Sequence, residues 1–204
     1  MNLLSIVKTR EYRNLTLLEP TTEPSKRIDS DYYVEGYATR FEPYELYEFD
    51  GVKYYERIDK NAFEGADMSD IIMQYDHQGR VLARKSNGSL IVEPNDEGLF
   101  ICADLSKSDA SRSLFEDIET ELVTRMSWAF TVAEDSYDRE TRTRTILRVK
   151  KVYDVSAVSI PANEDTLINA RSYFDGVIEE EQQELLKREK QMKMLEIKLK
   201  LMEE

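Results

Sequence analysis

Three side chains of this sequence have the chemistry needed for acyl transfer: Ser127, His77 and Asp154. A serine hydroxyl is a weak nucleophile until a base accepts its proton, and that base is usually an imidazole oriented by a third group. His77 is the only histidine in the chain, so the sequence offers one imidazole for this role. These three residues are therefore candidates for a nucleophilic site in which Ser127 attacks, His77 moves the proton and Asp154 orients His77.

The segment around Ser127 has the pattern of a buried strand, which runs through the apolar residues of Met126–Phe130. Strand alternation places Ser127 on one face with Arg125 and Ala129, opposite three large apolar side chains. A small hydroxyl on the less apolar face of a strand is also common where it has no catalytic role. The strand pattern alone therefore favours a structural serine, and the catalytic interpretation depends on the other members of the site.

His77 follows the apolar run Ile71–Tyr75, which predicts a strand that leads to the histidine. Asp154 lies within the apolar segment Val152–Val158, where a carboxylate needs a partner to offset the cost of its desolvation. Asp76 is the alternative third member, although neighbours in an extended strand point to opposite faces. The sequence leaves both aspartates open for this role.

The composition limits what this protein binds. Its 204 residues are enough for one substantial core with an appendage, and 41% of them are hydrophobic, as in a globular protein. The net charge of −13 argues against nucleic acid, because phosphate binding requires a basic face. One cysteine, Cys102, and one histidine permit no intramolecular disulfide and lack the ligands that transition-metal sites favour. We expect neither a metal nor a cofactor.

The N-terminus is apolar over residues 1–7 but is too short and wrongly flanked for a signal peptide or a membrane span. We therefore expect a soluble intracellular protein that does not contact a membrane.

The apolar periodicity predicts many short strands and one or two helices. Residues 1–30 have no clear period and are interpreted as a mobile N-terminal arm. A helical period follows over Ser108–Leu122, and the serine strand comes after it. This pattern is typical of a small all-β or α+β barrel that ends near Tyr173. The other predicted strands are Tyr32–Phe41, Val52–Ile58, Val81–Arg84, Leu90–Glu93, Gly98–Leu105 and one or two within Thr143–Ala157.

The C-terminal segment Val177–Glu204 predicts a charged amphipathic helix. It contains no helix breaker, and Ile178, Leu185, Met192 and Leu199 repeat every seven residues. A helix folded back on the barrel, a coiled coil and a partner-binding helix are all compatible with this pattern.

Four segments together carry a resemblance to a known family. They supply a histidine after an apolar strand, a Gly-Leu element, a nucleophile strand of the Met-Ser-Phe-Gly-Phe kind and a block like Glu-Val-Ser-x-Val-x-x-Pro-Ala. The segments, in this order, are Met73–His77, Asp96–Leu99, Met126–Phe130 and Asp154–Asn163. Over residues 31–173 the chain resembles the prohead proteases of tailed phages, the capsid-maturation serine proteases of the Hong Kong 97 type, which are distantly similar to herpesvirus assemblin.

The chain departs from this family pattern in its details. Trp128 and Ala129 replace the commoner Phe and Gly, and Asp154 replaces the commoner Glu. The residues around His77 also differ from the usual Asn-His-Asp. These departures leave the nucleophile and the base in place, and they affect the geometry and the identity of the third member.

The resemblance implies an α+β fold with a closed, mostly antiparallel β-barrel like that of the herpesvirus proteases, ringed by a few helices. The protease domain would cover residues 31–176, between the N-terminal arm of residues 1–30 and the C-terminal amphipathic helix of residues 177–204. That helix would be a coiled coil or a scaffold-targeting segment.

The resemblance also implies a serine endopeptidase that cleaves capsid precursor and scaffold polypeptides, and itself. It would act in the host cytoplasm, inside the assembling prohead. Ser127, His77 and Asp154 would be the catalytic residues. By analogy with assemblin, backbone groups near Ala162 and Asn163 would bind the oxyanion.

Two further functions stay open at this point. One is a non-catalytic capsid assembly or scaffold protein, with a β-barrel and a partner-binding helix, in which Ser127 and His77 are incidental. The other is a small acidic ligand-binding barrel. A homo-oligomer is compatible with each of them.

Overall fold

The computed structural model describes residues 10–20, 26–159 and 164–202. These residues form ten strands and two α-helices. In chain order the elements are β1 (Glu11–Pro20), β2 (Tyr33–Arg40), β3 (Tyr44–Phe49), β4 (Val52–Ile58), β5 (Ile72–Tyr75), β6 (Gln78–Arg84), β7 (Leu90–Pro94), β8 (Gly98–Asp104), α1 (Asp109–Glu119), β9 (Arg125–Asp138), β10 (Thr143–Val158) and α2 (Glu164–Met202). The predicted α+β class, rich in strands, is confirmed.

The strands form one branched sheet in the order β3-β4-β10-β9-β1-β2-β8-β7, with β5 and β6 attached beside β10. The branch arises at β10, which pairs along one edge with β9. Its other edge pairs in parallel with β4 at Thr143–Ile146 and with β5 at Asp154–Ala157. All other strand pairs are antiparallel.

The prediction of a closed barrel is wrong. Closure requires the two end strands of the sheet to pair. Within the described residues, β3 pairs only with β4 and β7 pairs only with β8, so the path stays open. The extra branch explains the difference, because one edge of β10 is shared between β4 and β5.

The N-terminal arm predicted for residues 1–30 contains a strand of the sheet. β1 lies between β9 and β2 and pairs with both in antiparallel fashion. The sequence of Glu11–Pro20 shows no regular alternation of polar and apolar residues, and Arg13 is one of the largest fully buried residues. The expected hydrophobic period is therefore absent from a strand that is central in the sheet.

Arg13 is buried because it joins a cluster of charged groups. Its Nε and Nη2 donate to the two carboxylate oxygens of Glu56, at 2.5 and 2.8 Å. Arg144 donates to Glu56 at 3.1 Å and to Glu11 at 2.8 Å, and the Tyr44 hydroxyl donates to Glu56 at 2.5 Å. Since a buried charge is costly without a partner, this cluster ties β1, β3, β4 and β10 together.

The ion cluster holds one carboxyl group strongly ionised. Burial alone would raise the pKa of Glu11, but the attraction of Arg13 and Arg144 outweighs it and lowers that pKa to about 2. The charged form of Glu11 is therefore a stabilising part of the fold.

The apolar core includes the large side chains of the serine strand. Trp128 stacks on Phe130 with ring centroids 3.9 Å apart, and both side chains are fully buried. Helix α1 contributes Leu114 and Ile118 to the same core. The predicted cap is present, because the Ser108 hydroxyl accepts from the Ser111 amide at 3.1 Å.

Two compact units divide the chain, Met1–Leu167 and Ile168–Glu204. Helix α2 begins earlier than predicted, at Glu164, and continues to Met202. It carries exposed large apolar side chains, among them Leu185, Met192 and Leu195. No helix in the described ranges is both long and apolar enough to cross a membrane.

Candidate active site

His77 lies in the two-residue turn that joins β5 to β6. Tyr75 pairs with Gln78 across the turn, and Asp76 and His77 between them have φ angles of 48° and 57°. Two successive left-handed residues are the geometry of a type I′ hairpin turn. The sequence predicted a strand that leads to the histidine; the strand ends at Tyr75, and the turn displaces His77 from the extended backbone.

Asp76 anchors this turn to the end of β10. Its carboxylate accepts from the Ser159 amide at 2.9 Å and from the Ser159 hydroxyl at 2.8 Å. Its own amide donates to the Ala157 carbonyl at 2.9 Å. A left-handed backbone costs a non-glycine residue of order 1–3 kcal/mol, and these bonds stabilise it here. Asp76 therefore fixes the position of the turn that presents His77.

Asp154 meets the imidazole of His77. The Nδ1 atom of His77 and Oδ1 of Asp154 are 2.5 Å apart, and both side chains are nearly buried. When Nδ1 carries the proton and donates it to the carboxylate, Nε2 is left with a free lone pair. This arrangement is the one required of a general base that is oriented by an aspartate.

A β-bulge directs Asp154 to this position. Val152 on β10 pairs with Phe130 on β9, but Asp154 pairs with Ala129, so Tyr153 is an extra residue in the ladder. The extra residue exchanges the two faces of β10, because side chains alternate along a strand. Val152 faces the core, and Asp154 faces the opposite side.

Ser127 occupies the same face of the sheet. It pairs with Ser156 of β10, two residues along each strand from the pair formed by Ala129 and Asp154. Directly opposed residues of antiparallel strands project to one face, with Cβ atoms about 4.5–5.5 Å apart. The register therefore places Ser127, Ser156 and Asp154 together on the face opposite the Trp128 core.

Two polar atoms at this site have no hydrogen-bond partner among the described residues: the Ser127 hydroxyl and His77 Nε2. Both are buried, and Ser127 has no exposed surface. A buried polar group without a partner is unfavourable and calls for an explanation, of which a catalytic role is one. The donor and the acceptor that a serine–imidazole pair requires are thus both available.

Two neighbours of the site were not predicted from the sequence. The Tyr12 ring packs edge-on against the His77 imidazole, with centroids 4.7 Å apart. Ser156 donates from its hydroxyl to Asp154 at 2.8 Å. Tyr12 gave no signal because its strand has no clear period, whereas the spacing of Ser156 two residues after Asp154 was available in the sequence. The predicted oxyanion residues, Ala162 and Asn163, lie outside the described residues.

A comparison with protein families identifies the class of this chain. The family model of the caudovirus prohead serine proteases matches residues 21–197, which include Ser127, His77 and Asp154. The chain belongs to this family. Membership makes it a serine protease of phage capsid maturation. No curated protein and no solved structure matches the chain.

Proposed function

We propose that Ser127, His77 and Asp154 form the catalytic triad of this prohead protease. Ser127 Oγ attacks the carbonyl carbon of the scissile peptide while His77 Nε2 accepts the hydroxyl proton. His77 then gives that proton to the leaving amine, and water hydrolyses the acyl-enzyme by the same route in reverse. Asp154 orients the imidazole through Nδ1 and stabilises the imidazolium that forms.

One observation carries this assignment: the His77 Nδ1–Asp154 bond of 2.5 Å leaves Nε2 unpaired on the face where Ser127 is also unpaired. Asp76 is the less suitable third member, because both of its carboxylate oxygens accept from Ser159. Family membership also argues against a non-catalytic assembly protein.

The substrates we propose are segments of capsid precursor and scaffold polypeptides, together with the protease itself, cleaved inside the assembling prohead in the host cell. The enzyme would be of the Hong Kong 97 type, with a distant relation to herpesvirus assemblin. Its domain arrangement would be a protease domain over residues 31–176, extended by β1, and a C-terminal targeting helix over residues 177–204.

The burial of Ser127 adds a condition to this function. A peptide reaches the hydroxyl only when a neighbouring part of the chain moves, because Ser127 has no exposed surface. A protease that is buried in this way would be inactive until its surroundings change, which suits an enzyme that must not digest capsid precursor before assembly.

Ser127→Ala tests the assignment directly. The intact mass of the full chain is followed over time with capsid precursor, and labelling by a fluorophosphonate is measured in parallel. We expect the variant to lose self-cleavage, precursor cleavage and labelling. The matched control is Ser111→Ala, another buried serine, whose hydroxyl donates to the Leu82 carbonyl. Cleavage by Ser127→Ala at the rate of the unaltered chain would exclude Ser127 as the nucleophile.

A further inference from the structure

Ser156 makes one hydrogen bond that takes no part in the steps proposed for Ser127, His77 and Asp154. Its hydroxyl donates to Oδ1 of Asp154 at 2.8 Å, and this is the oxygen that meets His77 Nδ1. Ser156 has no exposed surface, so water does not compete for the bond. One oxygen of the Asp154 carboxylate is thus bound by two donors, one from the β5–β6 turn and one from β10 itself.

A second donor restricts how the carboxylate can turn. The terminal torsion of an aspartate is broad and roughly two-fold, so a single bond to an imidazole leaves the carboxylate free to rotate or exchange its oxygens. Ser156 stands two residues after Asp154 on the same strand, beyond the bulge at Tyr153. Its hydroxyl therefore approaches from a fixed direction and selects one orientation of Asp154.

The hydrogen bond to Asp154 also determines whether the Ser156 hydroxyl can give its proton to His77. Ser156 lies directly opposite Ser127, so two hydroxyls face each other across β9 and β10. A hydroxyl has one proton to donate, and that of Ser156 is given to Asp154. This leaves Ser127 as the hydroxyl whose proton is available to His77.

We propose that Ser156 is a positioning residue of the protease, which acts through Asp154 and holds Oδ1 in line with His77 Nδ1. The inference rests on the proposed roles of Asp154 and His77. Without the Ser156 donor, the Nδ1–Oδ1 bond lengthens and the imidazole loses its fixed orientation. Catalysis then slows, while peptide binding is retained.

The test uses the fact that the chain has a single histidine, so that one imidazole signal reports on the site. The far-downfield proton resonance of His77 Nδ1 is recorded in the full chain carrying Ser127→Ala, which keeps the protein uncleaved. Adding Ser156→Ala should move this resonance upfield or broaden it beyond detection. Adding Ser111→Ala should leave it unchanged.

Kinetics on the otherwise unaltered chain provide the second readout. Ser156→Ala should lower kcat about tenfold with KM nearly constant, as expected for the loss of one hydrogen bond to a charged group. In an Asp154→Asn background the same change should have little further effect, because Ser156 acts only through that carboxylate. A full additional loss there would overturn the proposal.

An unchanged Nδ1 resonance together with an unchanged kcat would also overturn it. If Ser156→Ala does not fold, Ser156→Cys decides: its thiol is only slightly larger than the hydroxyl but donates weakly, so the resonance should move upfield in this variant too. The resonance is measured in a chain without the Ser127 hydroxyl, so it does not depend on whether Ser127 is the nucleophile. A wrong nucleophile assignment would appear only in the Ser127→Ala cleavage assay, and it is therefore distinguishable from a wrong role for Ser156.

Discussion

Ser127 on β9 lies directly opposite Ser156 on β10. Of these two hydroxyls, only that of Ser156 has a hydrogen-bond partner among the described residues. The two serines have the same burial and the same face of the sheet. They differ in their distance from the carboxylate, since Asp154 accepts from Ser156. This asymmetry is what the proposed roles of the two serines rest on: Ser156 as a positioning residue and Ser127 as the nucleophile.

The two candidate aspartates should differ sharply in their effect on catalysis. Loss of a triad carboxylate costs about four orders of magnitude in turnover in a well-studied serine protease, and we expect Asp154→Asn to approach that loss here. Asp76→Asn should cost far less, because asparagine tolerates the left-handed backbone of this turn. Single-turnover peptide cleavage and thermal unfolding of both variants provide the measurement. A larger loss from Asp76→Asn, at equal stability, would transfer the third role to Asp76.

Cleavage should decrease as the pH is lowered. A protonated His77 cannot accept the Ser127 proton, so kcat/KM should fall along a single-proton curve on acidification. Fluorophosphonate labelling should fall in parallel, because it requires the same base. Circular dichroism at each pH separates this effect from unfolding. A profile that stays flat on acidification while the fold is intact would argue against His77 as the base.

The ion cluster should make the fold sensitive to acid. The pKa of Glu11 lies at about 2 in the folded chain, below its ordinary value of 4.5. Its contribution is therefore complete above the ordinary value and is lost as the pH falls from 4.5 towards 2. We expect Glu11→Gln to lower the free energy of unfolding by about 2–3 kcal/mol at pH 6, and by much less near pH 2.

Urea unfolding of both proteins over this range measures the effect of Glu11. The matched control is Glu97→Gln, which removes a carboxylate that is paired with Arg40 on the surface and is 61% exposed. It should change stability little at any pH, because exposed ion pairs contribute little. An equal cost of Glu11→Gln at both ends of the range would show that the charge of Glu11 is not what stabilises the fold.

Removal of residues 177–204 should separate peptidase activity from delivery to the prohead. The exposed side chains Leu185, Met192 and Leu195 of α2 are apolar surface that a partner could cover. We expect the truncated chain to cleave peptide at nearly the original rate and to lose co-sedimentation with assembled shells. As a control, a shorter truncation removes only residues 197–204 and leaves the net charge of the chain unchanged. This chain should retain more co-sedimentation than the chain that ends at residue 176. Unfolding of the shorter chain would mean that the tail stabilises the protease instead.

The sequence supplied candidate site residues, whose roles remain predictions, but it could not show how the chain brings them together. Ser127, His77 and Asp154 are candidates from their chemical types and flanking apolar runs, together with the resemblance to the prohead proteases. The bulge at Tyr153 was not predictable, because one unpaired residue in a ladder has no side-chain signature, yet it decides which face Asp154 occupies.

The larger errors have similar origins in long-range pairing. β1 was missed because Arg13 is buried by ion pairs with distant residues, so its strand does not alternate in hydrophobicity. The barrel was expected because short alternating strands look the same in open and closed sheets. The division of one edge of β10 between β4 and β5 depends on pairings that local pattern does not encode.

The parallel pairing of β10 with β5 also sets the order in which the site can be completed during synthesis. His77 and Asp154 are 77 positions apart. At about 5–20 residues per second, the ribosome would add the aspartate about 4–15 s after the histidine. A nascent chain that already contains His77 and Ser127 still lacks the strand that carries both Asp154 and Ser156. Under the proposed triad, translation itself would therefore leave each new polypeptide without its base-orienting aspartate until β10 is in place, in addition to the burial of Ser127.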